Sequence, residues 1–329
     1  MKTSLRASLA AAFAIYATAL VCGTASVHAQ AYPRKPVRMV VPFPPGGGTD
    51  LMARLVADKL TATLGQQVVV DNRAGAAGRI GTEFVARATP DGYTLLMATA
   101  TVMVIAPALF PKLPYQSPGD FASISLLASD FYVLVVHPSV PARSVKQLIA
   151  LAKARPGQLN FASSGPGDTN HLSAELFQIK AGVKMVHVPY KGAAPGTLSV
   201  MIGETDLSFS NVIPALPQIK ANKLRPLGIS SLKRSAVLPK VPTIAESGLP
   251  GFDVEPFYAV LAPAGTPREI VQRLNRELVK AIRSRDMKGR LAAHGTEIVG
   301  STPEELEKMI TTEISKWSKV IRQAGLKAP

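Results

Sequence analysis

One stretch near the start of the chain, VRMVVPFPPGGGTD at 37–50, restricts the fold more than any other. Its apolar run ends in prolines, which predicts a short buried strand followed by a rigid turn. Three glycines at 46–48 follow, and because they have no side chains they leave backbone N–H groups uncovered. Thr49 or Asp50 is then expected to cap a helix. The start of a helix with bare amides is a ready-made site for an anion.

Strands and helices continue to alternate after this stretch. QVVVD at 67–71 predicts a second strand, residues 81–88 a helix, and residues 93–98 a third strand that ends at Thr99. This alternation is typical of a parallel, doubly wound α/β sheet. In such sheets ligands bind beyond the carboxyl ends of the strands, where both the glycine turn and Thr99 are expected to lie.

The same order of features recurs in the second half of the chain. A strand at 159–162 ends in SSGPGDTNH at 163–171, and a helix follows. This turn is a second potential anion site. A further strand at 207–209 opens into Ser210 and Asn211.

Two apolar runs divide the chain into lobes. Residues 131–136 and 257–261 are interpreted as strands that cross between the lobes, so the second lobe is inserted into the first. The predicted boundaries are 30–130 with 256–329 for lobe 1, and 131–255 for lobe 2. The proline-rich run at 107–115 is interpreted as a connector. Ser-Thr-Pro-Glu-Glu at 301–305 predicts a capping box for the last helix.

The first 29 residues are interpreted as a signal peptide. Lys2 and Arg6 precede an apolar segment at 9–21, and VHA at 27–29 fits a small-residue cleavage site. The apolar segment is too short to span a membrane. Cys22, the single cysteine, is removed with this segment, so the mature protein is predicted to have neither disulfides nor thiol chemistry.

The composition disfavours several functions. The net charge is +15, but Lys and Arg are dispersed and aromatic residues make up only 6%, so nucleic acid is not the expected partner. No Walker loop, dinucleotide fingerprint, nucleophile elbow or zinc motif is present, so we predict no catalytic residue, no cofactor and no metal site. His171 either orients its turn or contacts the ligand. Tyr190 and Lys191 could touch an anion, but a Pro-Tyr-Lys-Gly turn is often only a surface turn.

Several stretches together resemble one family. They are VPFPPGGGTD, VVVDNRAGAAGRIG, DGYTLLMAT, PALFPKLPY, VHVPYKG, PTIAESGLPGF and LAPAGTP, and they cover nearly the whole mature chain. The chain resembles the Bug family of periplasmic solute-binding proteins, the receptors of tripartite tricarboxylate transporters. The resemblance implies a two-lobed Venus-flytrap fold of the type II periplasmic-binding-protein kind, with two doubly wound domains joined by two crossing strands and no enzymatic activity.

The resemblance also implies a ligand site. In the family two strand–helix turns hold a ligand carboxylate, so two helix N-termini are expected to converge on one anion. The residues that occupy the corresponding positions here are Phe43, Pro44, Gly46, Gly47, Gly48, Thr49, Asp50, Thr99, Ser163, Ser164, Gly167, Asp168, Thr169, His171, Phe209 and Asn211. Phe257 joins them on its position alone, because it lies beside a loop at a strand end and a pocket between lobes also needs apolar walls.

Two departures from the family pattern bear on the ligand. Asp168 stands where Ser or Thr is usual, and it is expected either to cap its helix, the favoured interpretation, or to receive a ligand ammonium group. Met103 and Ala106 replace polar residues, which suggests a ligand with an apolar body.

The predicted function is that of a monomeric periplasmic binding protein for a small organic carboxylate, which it delivers to the permease subunits of a tripartite tricarboxylate transporter. A sensory receptor with a signalling partner is the alternative, because its binding chemistry would be the same.

Overall fold

The structure, a computed structural model, describes residues 32–293, 295–323 and 325–326. The predicted signal peptide, with Cys22, lies outside the described residues. From Lys35 onward the chain forms one compact unit that contains two β-sheets and their connecting helices. Among the described residues, no helix combines the length and the apolar character that a membrane crossing requires.

The elements alternate along the chain. The strands are β1 (Val37–Val41), β2 (Val68–Asn72), β3 (Thr94–Thr99), β4 (Phe121–Ser129), β5 (Tyr132–Val136), β6 (Asn160–Ser163), β7 (Val186–Pro189), β8 (Leu207–Asn211), β9 (Arg225–Ile229), β10 (Phe257–Pro263) and β11 (Glu297–Ile298). The helices are α1 (Gly48–Leu64), α2 (Arg79–Ala86), α3 (Ala106–Leu109), α4 (Val145–Ala154), α5 (Thr169–Ala181), α6 (Ala193–Met201), α7 (Val212–Lys220), α8 (Arg268–Ile282), α9 (Arg285–Ala292) and α10 (Pro303–Gln323). A 3₁₀ turn (Ala76–Gly78) precedes α2, and a π-helical segment (Thr101–Ile105) precedes α3.

The strands of the described residues form two mixed sheets. The first has the order β11-β4-β10-β3-β1-β2, and the second has the order β7-β6-β8-β5-β9. The predicted parallel pairing holds for β1 with β2 and β3, and for β6 with β7 and β8. However, β10 runs antiparallel to β3 and β4, and β5 runs antiparallel to β8 and β9. The α/β prediction is therefore correct, but neither sheet is purely parallel.

The opening stretch folds as a strand, a turn and a helix. All of β1 except Arg38 is buried, and α1 packs Met52, Val56 and Leu60 into the core. The prediction that Thr49 or Asp50 caps α1 is wrong, because the helix already begins at Gly48 and both residues lie inside it. Its N-cap is Gly47, and no side chain caps it.

The chain passes between the sheets twice, after β4 and after β9. The predicted crossing strands each pair within a single sheet, β5 in the second and β10 in the first. The crossings themselves are non-strand segments that bond to each other. Asp130 N–H donates to the Pro256 carbonyl at 2.8 Å, which joins the two crossings. Ser230 N–H, at the start of the second crossing, donates at 2.9 Å to the carbonyl of Tyr132, the first residue of β5.

Two local predictions have different outcomes. The capping box before α10 is confirmed, since Thr302 N–H donates to Glu305 at 2.9 Å and Glu305 N–H donates to Thr302 Oγ1 at 3.2 Å. The connector expected from Pro107 onward is instead helical at its start, because α3 has its proline in the first turn, where a missing N–H costs nothing.

Candidate functional site

One cavity lies where loops from the ends of both sheets meet. Its volume is about 60 Å³, which is room for about five water molecules on the same measure. The lining residues of the first sheet and its loops are Phe43, Pro44, Pro45, Gly47, Gly48, Thr49, Thr99, Ala100, Thr101, Pro256, Phe257 and Tyr258. Those of the second are Tyr132, Ser164, Asp168, Thr169, Lys191, Gly192, Ala193, Ala194, Pro195 and Asn211.

Most of the predicted site residues lie in this wall. Those that line the cavity are Phe43, Pro44, Gly47, Gly48, Thr49, Thr99, Ser164, Asp168, Thr169, Asn211 and Phe257. Those that lie outside its lining are Gly46, Asp50, Ser163, Gly167, His171 and Phe209. The residues of the second group support the turns or the core.

The N-terminus of α1 faces the cavity with free amides. The first hydrogen bond of the helix runs from Leu51 N–H to the Gly47 carbonyl, at 3.1 Å. The N–H groups of the first turn have no carbonyl partner within a helix, and no side chain caps this one. Gly48 and Thr49, which supply two of these amides, line the cavity. This turn can therefore donate hydrogen bonds to an anion.

Thr99 adds a hydroxyl to the same cavity. It is only 8% exposed, and its Oγ1 has no hydrogen-bond partner among the described residues. A buried hydroxyl without a partner is costly, so such groups are rare in folded proteins. Its position in the wall indicates a partner that enters the cavity.

Asp50 stabilises the glycine turn through hydrogen bonds. Its carboxylate accepts hydrogen bonds from Gly46 N–H at 3.1 Å, from Asn72 Nδ2 at 3.0 Å and from Arg54 Nε at 3.1 Å. Burial opposes ionisation of Asp50, but the hydrogen bonds from Arg54, Gly46 and Asn72 outweigh it and hold its pKa below the usual value. These partners occupy both carboxylate oxygens of Asp50. Neither Asp50 nor Gly46 lines the cavity, so the structure does not support their predicted contact with the ligand.

Asp168 is the N-cap of α5, as the favoured interpretation of the sequence expects. Its Oδ1 accepts hydrogen bonds from Thr169 N–H and Thr101 Oγ1, each at 2.6 Å. Burial raises the pKa of Asp168, although the bonds from Thr101 and Thr169 oppose this shift.

Both helix starts line the cavity, as expected, but the cap at α5 makes them unequal as anion sites. The Thr169 amide faces the cavity, but it already donates to a carboxylate of the protein itself. The favourable position for an anion at α5 is therefore occupied by Asp168, whereas the one at α1 is free.

Ser163, Gly167 and His171 support the α5 turn and lie outside the cavity lining. His171 Nδ1 accepts from Gly167 N–H at 3.2 Å, and its ring stacks on His187 with centroids 4.0 Å apart. Ser163 is 1% exposed, and its Oγ lies 2.5 Å from His187 Nε2. Burial first, and then the neighbouring His171, lowers the pKa of His187 to about 4, so this ring is neutral at pH 7.

Phe209 belongs to the core of the second sheet. It is fully buried, and its ring lies 5.8 Å from that of Phe252 and 6.0 Å from that of Phe177. Asn211, two residues further along β8, lies at the end of the strand and lines the cavity, whereas Phe209 does not. The prediction that Phe209 contacts the ligand is therefore not supported.

Replacing Phe209 with alanine is expected to lower the free energy of unfolding by about 3–5 kcal/mol, because it leaves a cavity among packed rings. Phe209→Leu, which keeps most of the volume, is the matched control and should cost less. Urea unfolding of both variants measures the difference. If Phe209→Ala keeps the stability of the wild type but binds the ligand more weakly, the prediction that Phe209 contacts the ligand is supported instead.

The predicted site leaves out eleven residues of the wall, which are Pro45, Ala100, Thr101, Tyr132, Lys191, Gly192, Ala193, Ala194, Pro195, Pro256 and Tyr258. Five of them, residues 191–195, form the turn between β7 and α6, where the sequence left open whether Lys191 contacts an anion or belongs to a surface turn. Tyr132 begins β5, and Tyr258 lies near the start of β10. Met103, which suggested an apolar ligand body, is fully buried and lies outside the lining.

A buried acid lies behind Tyr258, at the first crossing between the sheets. Asp130 is 4% exposed and accepts hydrogen bonds from Phe131 N–H at 2.8 Å and from the Tyr258 hydroxyl at 3.3 Å. Burial raises the pKa of Asp130 to about 7 in spite of these two donors. It also raises the pKa of Tyr258 well above the usual value, so this hydroxyl stays protonated.

Within the residues that the structure describes, no three His, Cys, Asp or Glu side chains lie close enough together to hold a metal ion. The cavity wall offers hydrogen-bond donors, one buried carboxylate and an exposed lysine. This set suits a small anion that also has apolar surface, since Phe43, Phe257 and several prolines complete the wall.

Comparison with known proteins identifies relatives over almost the whole chain. The sequence model of the tripartite tricarboxylate transporter family receptor matches residues 52–326. Protein BugT of Bordetella pertussis is 41% identical over 304 residues, which is 92% of this chain and 93% of BugT. These matches confirm the resemblance to Bug receptors.

Two solved structures have the same fold. Rpa4515 of R. palustris with adipate is 37% identical, with a TM-score of 0.86 over 89% of this chain and 98% of that one. MatC of Rhodopseudomonas palustris with bound malate is 32% identical, with a TM-score of 0.85 over 88% and 100% of the two chains. The likeness confirms the predicted α/β, two-lobed binding-protein fold.

Proposed function

Because the chain belongs to the tripartite tricarboxylate transporter receptor family, we propose that it binds a small organic carboxylate between its two lobes. The observation that carries the proposal is the free N-terminus of α1 beside the unpartnered Thr99 hydroxyl. A carboxylate there accepts hydrogen bonds from backbone N–H groups, and its charge is stabilised by the helix dipole. The adipate and malate bound by the two solved relatives are ligands of this chemical class.

The proposed residues are those of the wall. Gly47, Gly48 and Thr49 donate their amides to the carboxylate, and Thr99 donates its hydroxyl. Phe43 and Phe257 cover the apolar part of the ligand. Loops from both sheets supply the wall, so the bound ligand is removed from water when the lobes close on it.

Binding without catalysis is the proposed role. Ser163 and His187 form a hydroxyl–imidazole pair, but neither residue lines the cavity, so a bound ligand has no access to them. The proposed lobes are residues 30–130 with 256–329, and residues 131–255. The membership of the strands in the two sheets supports these boundaries, since β5 to β9 form the second sheet.

The proposed setting is the periplasm. A signal peptide at 1–29 exports the chain, and the mature protein acts as a monomer that presents its ligand to the permease subunits of a tripartite tricarboxylate transporter. Family membership supports this setting.

A thermal-shift comparison of carboxylates with their primary amides tests the binding role. The mature protein is unfolded and refolded to remove ligand, then tested with hexanoate, adipate and malate and with hexanamide, adipamide and malamide as matched neutral controls. A ligand at a hundred times its dissociation constant adds about 2.7 kcal/mol, which raises the midpoint by roughly 5 °C in a protein of this size. Stabilisation by an acid and not by its amide is expected, whereas equal stabilisation by both would contradict an anion site.

A further inference from the structure

A second uncapped helix begins at the same cavity. Gly192 is the N-cap of α6 and lacks a side-chain cap, and the residues after it, Ala193, Ala194 and Pro195, line the cavity. Gly192 N–H donates to the Ser164 carbonyl at 3.2 Å, and proline has no N–H. The amides of Ala193 and Ala194 are therefore the free donors of this turn, and their methyl side chains leave them accessible.

Lys191 places a positive charge beside these amides. It is the one Lys or Arg among the described residues that line the cavity, and its side chain is exposed. None of the ion pairs among the described residues involves it. Its charge is therefore available to a ligand.

The turns before α1 and α6 are in direct contact across the cavity. A Cβ atom on Gly192 would lie 3.3 Å from Pro44 Cγ, so the backbone of one turn packs on the proline of the other. The unpartnered Thr99 hydroxyl lies in the same wall and indicates a ligand there. At α7, by contrast, only the N-cap Asn211 reaches the cavity, and the first residues of that helix do not.

We propose that the second arm of the carboxylate site is the N-terminus of α6 with Lys191, and that Asp168 acts as a resident carboxylate that keeps a ligand carboxylate away from α5. This inference rests on the proposed function and specifies the ligand further. Since Asp168 faces the cavity, a ligand group near α5 carries no negative charge. The site therefore favours a monocarboxylate over a dicarboxylate of the same chain length.

Amide chemical shifts test the position of the anion. The protein is labelled with ¹⁵N and titrated with a large excess of acetate, with chloride at equal ionic strength as the control. Shifts at Gly48 and Thr49 together with Ala193 and Ala194 are expected. Shifts at α1 and α5, or at α1 alone, would overturn the inference but keep the proposed function. No specific response at α1 would contradict both.

Calorimetric titration with hexanoate and adipate, which differ by one carboxylate, tests the charge selection. Lys191→Gln is expected to weaken hexanoate binding by about five- to tenfold, because one charge-assisted contact is lost. The matched control is Lys184→Gln, which removes the same charge from an exposed residue outside the cavity lining and should leave the affinity unchanged. Equal affinities of the wild type and Lys191→Gln would overturn the role of Lys191.

Asp168→Asn tests the resident carboxylate, since asparagine still caps a helix. Adipate affinity is expected to rise by about tenfold, and hexanoate affinity should change by less than about threefold. Weaker binding of both acids by Asp168→Asn, or an unchanged preference between them, would overturn the exclusion by Asp168. Thermal unfolding of the variant without ligand separates a fold defect from a change in the site.

Discussion

Replacing Asp130 with asparagine is expected to abolish most of the decrease in unfolding free energy that the protein shows as the pH rises from about 4 to 7. In the folded protein burial raises the pKa of Asp130 from the ordinary value of 3.8 to about 7. The folded state therefore keeps a proton that the unfolded chain releases near its ordinary pKa. The stability from this group is present below pH 3.8 and is lost as the pH rises through the folded pKa. The difference amounts to about 4 kcal/mol of unfolding free energy.

The comparison uses urea unfolding of both proteins from acidic to mildly alkaline pH. Asparagine keeps an acceptor for Phe131 N–H and a polar group for the Tyr258 hydroxyl, so the variant should fold. Asp58→Asn is the control, since Asp58 is exposed on α1 and its replacement should leave the pH slope unchanged. A variant at Asp130 with the same slope as the wild type would show that this carboxyl does not hold its proton.

Replacing Thr49 with proline should weaken carboxylate binding by about ten- to a hundredfold. Thr49 is the second residue of α1, where the amide has no helical partner and proline is tolerated in the first turn. The substitution removes one backbone donor to the ligand, and a hydrogen bond to a charged group contributes about 1.5–3 kcal/mol.

Thr49→Ala is the matched control for this prediction. It removes the hydroxyl but keeps the amide, so its affinity should remain within a few fold of the wild type. Calorimetric titration of both variants with the same acid measures the contrast, and unfolding without ligand checks their stability. Equal losses in the two variants would mean that the hydroxyl, and not the amide, carries the contact.

Local order along the chain made most of the fold predictable. The strand, glycine turn and helix at 37–64 are predictable from the spacing of their apolar residues and from the residue types of the turn. Both signals depend only on residues a few positions apart. The strand β4 has no such signal, because serines interrupt its apolar residues although Ser123 and Ser125 are buried. Its place between β10 and β11 depends on partners far along the chain.

Residues of the candidate site were predictable from the sequence only where they belong to a single turn. Both predicted turns contribute to the cavity wall, the first through Phe43, Pro44, Gly47, Gly48 and Thr49 and the second through Ser164, Asp168 and Thr169. By contrast, the orientation of Asp50 depends on Asn72, and that of His171 depends on stacking with His187, and neither contact can be derived from one short stretch. Tyr132 and Tyr258 reach the cavity because two crossings between the sheets meet there, which is a property of the assembled fold.

A crystal structure with the carboxylate that gives the largest thermal shift would locate the bound anion directly. We expect its carboxylate oxygens to lie within hydrogen-bond distance, about 2.7–3.2 Å, of Gly48 and Thr49 N–H and of the Thr99 hydroxyl. A ligand whose carboxylate lies elsewhere, with its neutral end against the N-terminus of α1, would contradict the proposed anion site.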